Sequence, residues 1–405
     1  MRNMAKLKLS LRELLYKKIL IKKRLEEKLS DESIRKALND YHAKKKPRPC
    51  GFTVHSVIGC TYRCIYCYIP DIGYSFGNAK AYGLTGEEIV YALLSNPYFL
   101  PGRHGSYIAI GSVGEPFLSM GVNKTLEYIS AFSKYLGNPI QFSTKTYIDE
   151  ELARKIASFR NVSLSSLITI ISIEKYRLLE PFSPSPDLRF RTIKNLKKYG
   201  LHPILFLRPI IPGVNEFEAG EIIRLAKKYG VEGVVIGGFR VSNNIIARLK
   251  DKGLKIEEIN KRIRGTIRKD RLLDIYVKDI KEKIAIEAKK EGLIPFYSAC
   301  CASTYTFFKK FGYRIPCIGL DFIEEKFCTK CPVLCENISV EIDTDEAKYF
   351  LNRFFGYVKD VEIRGYYIII HTNNRKKLLN RIRSRNGYRI LVETAYRKKL
   401  VVTNG

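Results

Sequence analysis

Residues 59–70 read Gly-Cys-Thr-Tyr-Arg-Cys-Ile-Tyr-Cys-Tyr-Ile-Pro. Cys60, Cys64 and Cys67 stand in C-x3-C-x2-C spacing, so one short loop carries three thiolates. That is one ligand fewer than a structural zinc or an electron-transfer cluster normally takes from protein. A cubane held by three cysteines keeps one iron open to chelate a small molecule through its amine and carboxylate. The apolar stretch 51–59 just before the loop predicts a strand leading into it. Further outward, β-branched apolar runs recur at 107–110, 140–143, 168–173, 204–207 and 233–236. Amphipathic stretches at 86–94, 123–135, 149–159, 187–199 and 216–229 separate them. Gly200 and Gly230 follow Lys-Tyr, where a left-handed cap ends a helix. With the strand at 52–58 this predicts six βα repeats, an α/β fold whose parallel sheet curls into part of a barrel.

Sites in such folds form where the strands end at their carboxyl termini. The second run is followed there by Gly111-Ser-Val-Gly114-Glu115-Pro116, in which a carboxylate suits an ammonium and Gly114 permits close backbone approach. The cysteine loop, with Tyr66 in its aromatic place, and the Glu115 segment together resemble the radical S-adenosylmethionine (SAM) superfamily. Cys64-Ile-Tyr-Cys-Tyr68, Glu180-Pro-Phe-Ser-Pro-Ser-Pro186, and RPIIPGVN at 208–215 resemble its spore photoproduct lyase-related branch over about residues 50–240. The resemblance implies a three-quarter βα barrel, a 4Fe-4S cluster on Cys60, Cys64 and Cys67, and reductive cleavage of SAM to a 5′-deoxyadenosyl radical. It implies cofactor contacts from Tyr66, Gly114, Glu115, Pro116, Lys145, Ser172 and Arg208, and a reductant such as ferredoxin or flavodoxin. Repair lyases of the branch use a barrel cysteine as hydrogen donor, and this chain has no cysteine between 67 and 300.

Six further cysteines fall between 300 and 335. Cys328, Cys331 and Cys335, with Cys300 or Cys301 as fourth ligand, could hold an auxiliary iron-sulfur cluster or zinc. Cys50 reads as a small buried hydrophobe. From residue 338 the pattern becomes β-α-β-β-α-β, a small α+β ferredoxin-like domain. The expected organisation is a basic helical extension at 1–49, a barrel at 50–295, a cysteine-rich metal segment at 296–337 and the small domain at 338–405.

The 71 Lys+Arg exceed the 41 Asp+Glu by 30, which favours a polyanionic partner, nucleic acid above all. Three basic regions carry the excess: residues 1–49, the run from Lys261 to Arg271, and the second helix of the tail from Arg375 to Arg385. A bias toward Lys, Ile and Glu with a single glutamine, Gln141, is the kind found in proteins of hot environments. The longest uncharged apolar run, 162–173, is too short to span a membrane, and the basic N-terminus lacks a secretory h-region, so a cytoplasmic location is expected. These observations favour a radical enzyme that modifies or repairs nucleic acid, RNA modification before DNA repair. The alternatives are a radical enzyme for a small metabolite or peptide, and a non-enzymatic zinc protein that binds nucleic acid.

Overall fold

The computed structural model describes residues 7–48, 51–74, 76–268, 271–317 and 338–404. Its strands are β1 (Leu7–Leu9), β2 (Phe52–Val54), β3 (Val57–Ile58), β4 (Lys80–Ala81), β5 (Ile108–Ile110), β6 (Ile140–Thr144), β7 (Leu164–Thr169) and β8 (Ile204–Leu207). They continue with β9 (Gly233–Ile236), β10 (Arg240–Val241), β11 (Leu273–Asp274), β12 (Ile294–Phe296), β13 (Val340–Ile342), β14 (Asp360–Arg364), β15 (Tyr367–Thr372) and β16 (Lys399–Asn404). Seven of them form one parallel sheet in the order β12-β9-β8-β7-β6-β5-β2. Among the described residues β12 and β2 do not pair, so the sheet is a partial barrel.

Side-chain alternation along the strands separates two faces. Ile108, Ile110, Phe142, Ile168, Leu205, Val234 and Ile236 join the large core beneath the outer helices. Leu167, Ile204, Val235 and Phe296 form a second core on the inner face. The sheet departs from the sequence pattern in three places. The first run splits, because β2 stays in the barrel while β3 turns away to pair with β4. The fourth strand lies at Leu164–Thr169 rather than 168–173: Ser163, Ser165 and Ser166 interrupt the apolar run, yet all are buried. The seventh strand, β12, is only three residues long, too short to register as a periodic run.

The segment after β12 decides where the barrel is open. Residues expected to begin a cysteine-rich metal segment form the helix Ala299–Phe311, which packs Cys300, Cys301 and Ala302 against the inner face. Ser303 Oγ donates to Gln141 Oε1 at 2.9 Å, and Thr304 Oγ1 lies 2.7 Å from Tyr107 Oη. Tyr305 Oη donates to Glu232 Oε2 at 2.6 Å. Tyr107 and Glu232 immediately precede β5 and β9, so the helix closes the amino-terminal end of the barrel. Access is left at the carboxyl-terminal end.

The tail has β14 antiparallel to β15 and β15 parallel to β16, with one more helix, Asn386–Tyr396, than the expected order. Its first strand, β13, leaves that sheet and pairs in parallel with β1. The buried Glu346 explains the attachment: it accepts from Ser10 Oγ at 2.7 Å, Leu11 N at 2.8 Å and Tyr396 Oη at 2.9 Å. A carboxylate thus satisfies open N–H groups at the start of the helix Leu11–Glu26. The N-terminal extension and the tail share one core through Leu11, Leu351 and Phe355. Arg397 joins that core to the barrel by donating to His104 O and Gly105 O, both at 2.7 Å.

Candidate active site at the barrel mouth

The cysteine loop leaves β3 through Gly59, whose φ of +82° only glycine adopts readily; a Cβ there would lie 2.4 Å from Asn78 O. Gly59 N donates to Val113 O at 3.0 Å, and Gly59 bridges to Gly114. A Cβ on Gly114 would lie 2.5 Å from Val57 O, so the two glycines let the cysteine loop and the Glu115 loop meet backbone to backbone. Val113, unusual in such a motif, contributes its carbonyl to that junction. Beyond it, Arg248 clasps the cysteine loop from outside, donating to Ile65 O at 2.9 Å and Cys67 O at 2.6 Å, with Asp71 Oδ2 3.2 Å away.

Cys64 is buried, and Cys60 and Cys67 are half-buried. Burial pushes the Cys60 thiol up to about 11, with Glu115 and Cys67 adding to the shift. Cys64 and Cys67 are likewise raised, first by burial, while Lys145 opposes the shift in all three. Three crowded thiols that repel one another as thiolates fit a cationic iron-sulfur group that would hold them ionised. Among the described residues no three His, Cys, Asp or Glu side chains converge on a point suited to a single ion. Cys67 adds to the upward shift of Cys60, and Cys67 and Cys60 to that of Cys64, so the three thiols share one neighbourhood.

Glu115 is buried, and its carboxylate is held by the Thr144 hydroxyl and by Lys145 N at 3.0 Å. Burial raises its pKa although these donors oppose the rise. A buried carboxylate at a strand end, charged or poised to become so, is matched to an ammonium group. Pro116 comes next and accepts from Thr125 Oγ1 at 2.5 Å through its carbonyl.

A second buried group of charges supports the loop from the barrel side. Tyr66 Oη donates to Glu180 Oε1, and Glu180 forms an ion pair with Arg189, both side chains being 0% exposed. Lys145 Nζ lies 3.9 Å from Glu180 Oε1. Burial works against the Lys145 charge, but Cys64 and Glu180 outweigh it and keep the ammonium more basic than usual. Arg189 also donates to Thr169 O at 3.1 Å, Pro184 O at 2.8 Å and Ser183 Oγ at 2.5 Å. The Glu180-Pro-Phe-Ser-Pro-Ser-Pro segment is therefore a wrap around one buried guanidinium. Arg189 and Glu218 carry no signal in the sequence, because charged residues within amphipathic stretches look like solvated ones.

Of the remaining expected residues, Ser172 is fully buried and donates to Glu218 Oε1 at 2.6 Å. Glu218 also accepts from Ile173 N and Glu174 N, at 2.6 and 2.9 Å, shaping the loop after β7. Arg208 stands just past the end of β8, in phase with the inner-facing Ile204 and Phe206. Cys300 sits inside the barrel with Cys301 and Cys317, and Ser298 Oγ is 2.8 Å from its Sγ. The barrel interior thus receives cysteines from a helix rather than from a strand. Cys50, Cys328, Cys331 and Cys335 lie outside the described residues.

A partial βα barrel carries a three-thiol loop and a buried carboxylate at its mouth, and comparison with known proteins shows which proteins share this arrangement. The family model of the Radical SAM superfamily matches residues 54–226. Spore photoproduct lyase with bound AdoMet and dinucleoside spore photoproduct superposes with a TM-score of 0.51 at 13% identity, covering 64% of this chain and 81% of that one. A Tyr-to-Phe variant of the same lyase gives 0.51 and 13%, covering 63% and 79%. An uncharacterized protein of Methanocaldococcus jannaschii is 25% identical over 173 residues, 41% of this chain and 63% of that relative, so the match spans less than two thirds of the relative's length. The part of the chain that carries the three-thiol loop and Glu115 is thus the part that matches the radical SAM superfamily. Its barrel has the fold of spore photoproduct lyase. Among the described residues no helix is long and apolar enough to cross a membrane.

Proposed function

We propose that this enzyme modifies or repairs nucleic acid, with RNA as the favoured substrate, at the carboxyl-terminal mouth of its barrel. Cys60, Cys64 and Cys67 would hold the cluster, which when bound supplies the electron that cleaves SAM to the hydrogen-abstracting 5′-deoxyadenosyl species. Glu115 would receive the SAM ammonium, and Lys145 would offset negative charge beside Cys64. Gly114 and Pro116 shape that approach, while Tyr66 and Ser172 act through Glu180 and Glu218 to hold the surrounding loops.

The observation that carries the choice of substrate is the net charge of +30, set against a barrel closed at its far end. A substrate must approach from the mouth, and a polyanion presenting one exposed nucleotide meets that requirement. The helix Ala299–Phe311 narrows the interior, which also suits the second reading, a small metabolite or peptide. An auxiliary iron-sulfur cluster or zinc on Cys328, Cys331 and Cys335, and ferredoxin or flavodoxin as the reductant, belong to the same proposal, as does a cytoplasmic location.

The test is anaerobic reconstitution with dithionite and SAM, assayed for 5′-deoxyadenosine and for hydrogen exchange with deuterated candidate substrates. Turnover should rise with tRNA or DNA, and C64A should abolish the product while retaining the native circular dichroism. Stimulation only by small molecules, together with binding that ignores salt, would favour the second reading.

A further inference from the structure

Arg208 is an exposed arginine at the mouth of the barrel, and among the described residues its side chain makes no hydrogen bond or ion pair. Its place is built. A Cβ on Gly237, just past the end of the neighbouring strand β9, would fall 2.4 Å from both Cγ and Cδ of Arg208. The arginine therefore lies flat over a glycine backbone that no other residue could offer. Crowding by the surrounding protein lowers its pKa first, Arg240 and Arg48 add to the fall, and Tyr68 and Asp274 oppose it.

The positive charge continues outward from that point. Arg240 on β10 is 42% exposed and meets Asp274 on β11 at 2.8 Å. Asp274 borders an open cleft of about 350 Å³ whose other charged lining residues are Arg268 and Arg271. Arg264 stacks over the Tyr276 ring at 3.9 Å, leaving an aromatic edge beside the same hairpin. On the other side of the mouth Phe182 is 61% exposed, with the Arg63 guanidinium of the cysteine loop 5.5 Å from its ring. Among the described residues lining the cleft, Asp274 is the one acid set against Arg268 and Arg271. A lone carboxylate on a metabolite would occupy one of these cationic positions; a phosphodiester chain occupies them in succession, with its bases free to stack on exposed rings.

The geometry points to a phosphate track, Arg208–Arg240–Arg268–Arg271, that draws a single nucleic-acid strand into the barrel mouth, with Arg208 meeting the phosphate nearest the reacting nucleotide. This rests on the nucleic-acid reading and assigns Arg208 to substrate rather than to the SAM carboxylate. The track is tested by anisotropy of fluorescein-labelled oligouridylate on the reconstituted enzyme across a salt series, with SAM retention measured separately by equilibrium dialysis. Affinity of the unaltered enzyme should fall steeply with salt. R208Q should weaken binding and flatten the log–log slope by about 0.7, and R240Q/R268Q/R271Q by about 2, since each phosphate contact on a single strand contributes about 0.7. R208K should recover the slope, G237A should behave like R208Q, and SAM retention should hold in all. Unchanged slopes in R208Q and the triple variant overturn the track, as does loss of SAM retention in R208Q with oligouridylate binding intact. If the unaltered enzyme binds no oligonucleotide in a salt-sensitive way, the nucleic-acid reading itself fails, and the track with it.

Discussion

Replacing Glu180 by Gln keeps the shape of the group beneath the cysteine loop and removes only its charge. Arg189 would then be a fully buried guanidinium without a counter-charge, still donating to Thr169 O, Pro184 O and Ser183 Oγ. Those three bonds survive but the one to residue 180 does not, because an amide whose oxygen accepts from Tyr66 turns its NH2 toward Arg189; the cost is at least that of an unbalanced buried ion, about 3–5 kcal/mol for a pair broken from one side. The amide oxygen still accepts from Tyr66, but a neutral acceptor is weaker; charge-assisted bonds contribute about 1.5–3 kcal/mol against about 1 for neutral ones. Urea unfolding of cluster-free protein should show the midpoint falling by the equivalent of at least about 3 kcal/mol, with an unchanged slope. Iron bound per chain on reconstitution should fall as well, because Ile65 N is tied to Leu179 O beside Glu180. E180Q/R189M, which removes both charges at similar volume, should recover much of the loss. An E180Q change within about 0.5 kcal/mol, the range of an ordinary surface substitution, would refute the assignment of this ion pair as the foundation of the loop.

Two more substitutions probe the two ends of the barrel. G114A should lose SAM retention and cost about 1–3 kcal/mol through overpacking, because its Cβ would press on Val57 O at 2.5 Å and displace Glu115; dialysis and thermal melting measure both. Glu232 pins the helix Ala299–Phe311 to the barrel floor. Burial would raise its pKa, but hydrogen bonds from Tyr305, Lys309 and Lys197 prevail and lower it from 4.5 to about 2. Its folded value lies below its unfolded one, so the stabilisation is full above about pH 4.5 and disappears as pH falls through about 2. E232Q should lower the melting temperature at neutral pH and match the unaltered protein near pH 2; a difference independent of pH would show that the carboxylate charge is not involved.

The parts of this protein whose chemistry is local can be read directly along the chain. Three thiolates within eight residues declare a loop that lacks a fourth ligand, and the period of the apolar runs declares a parallel βα sheet whose strand ends bear Glu115 and Arg208. These signals are legible because spacing along the chain and spacing in space are nearly the same for them. Which distant side chains meet is settled only by folding. Arg189 becomes the partner of Glu180, the helix Ala299–Phe311 closes the amino-terminal end of the barrel, and β1 joins β13 across more than three hundred residues. Buried charges gain from one another only when the fold excludes water between them, and which charges surround an arginine such as Arg208 depends on the elements packed around it. Neither condition has a signature in any one stretch of chain.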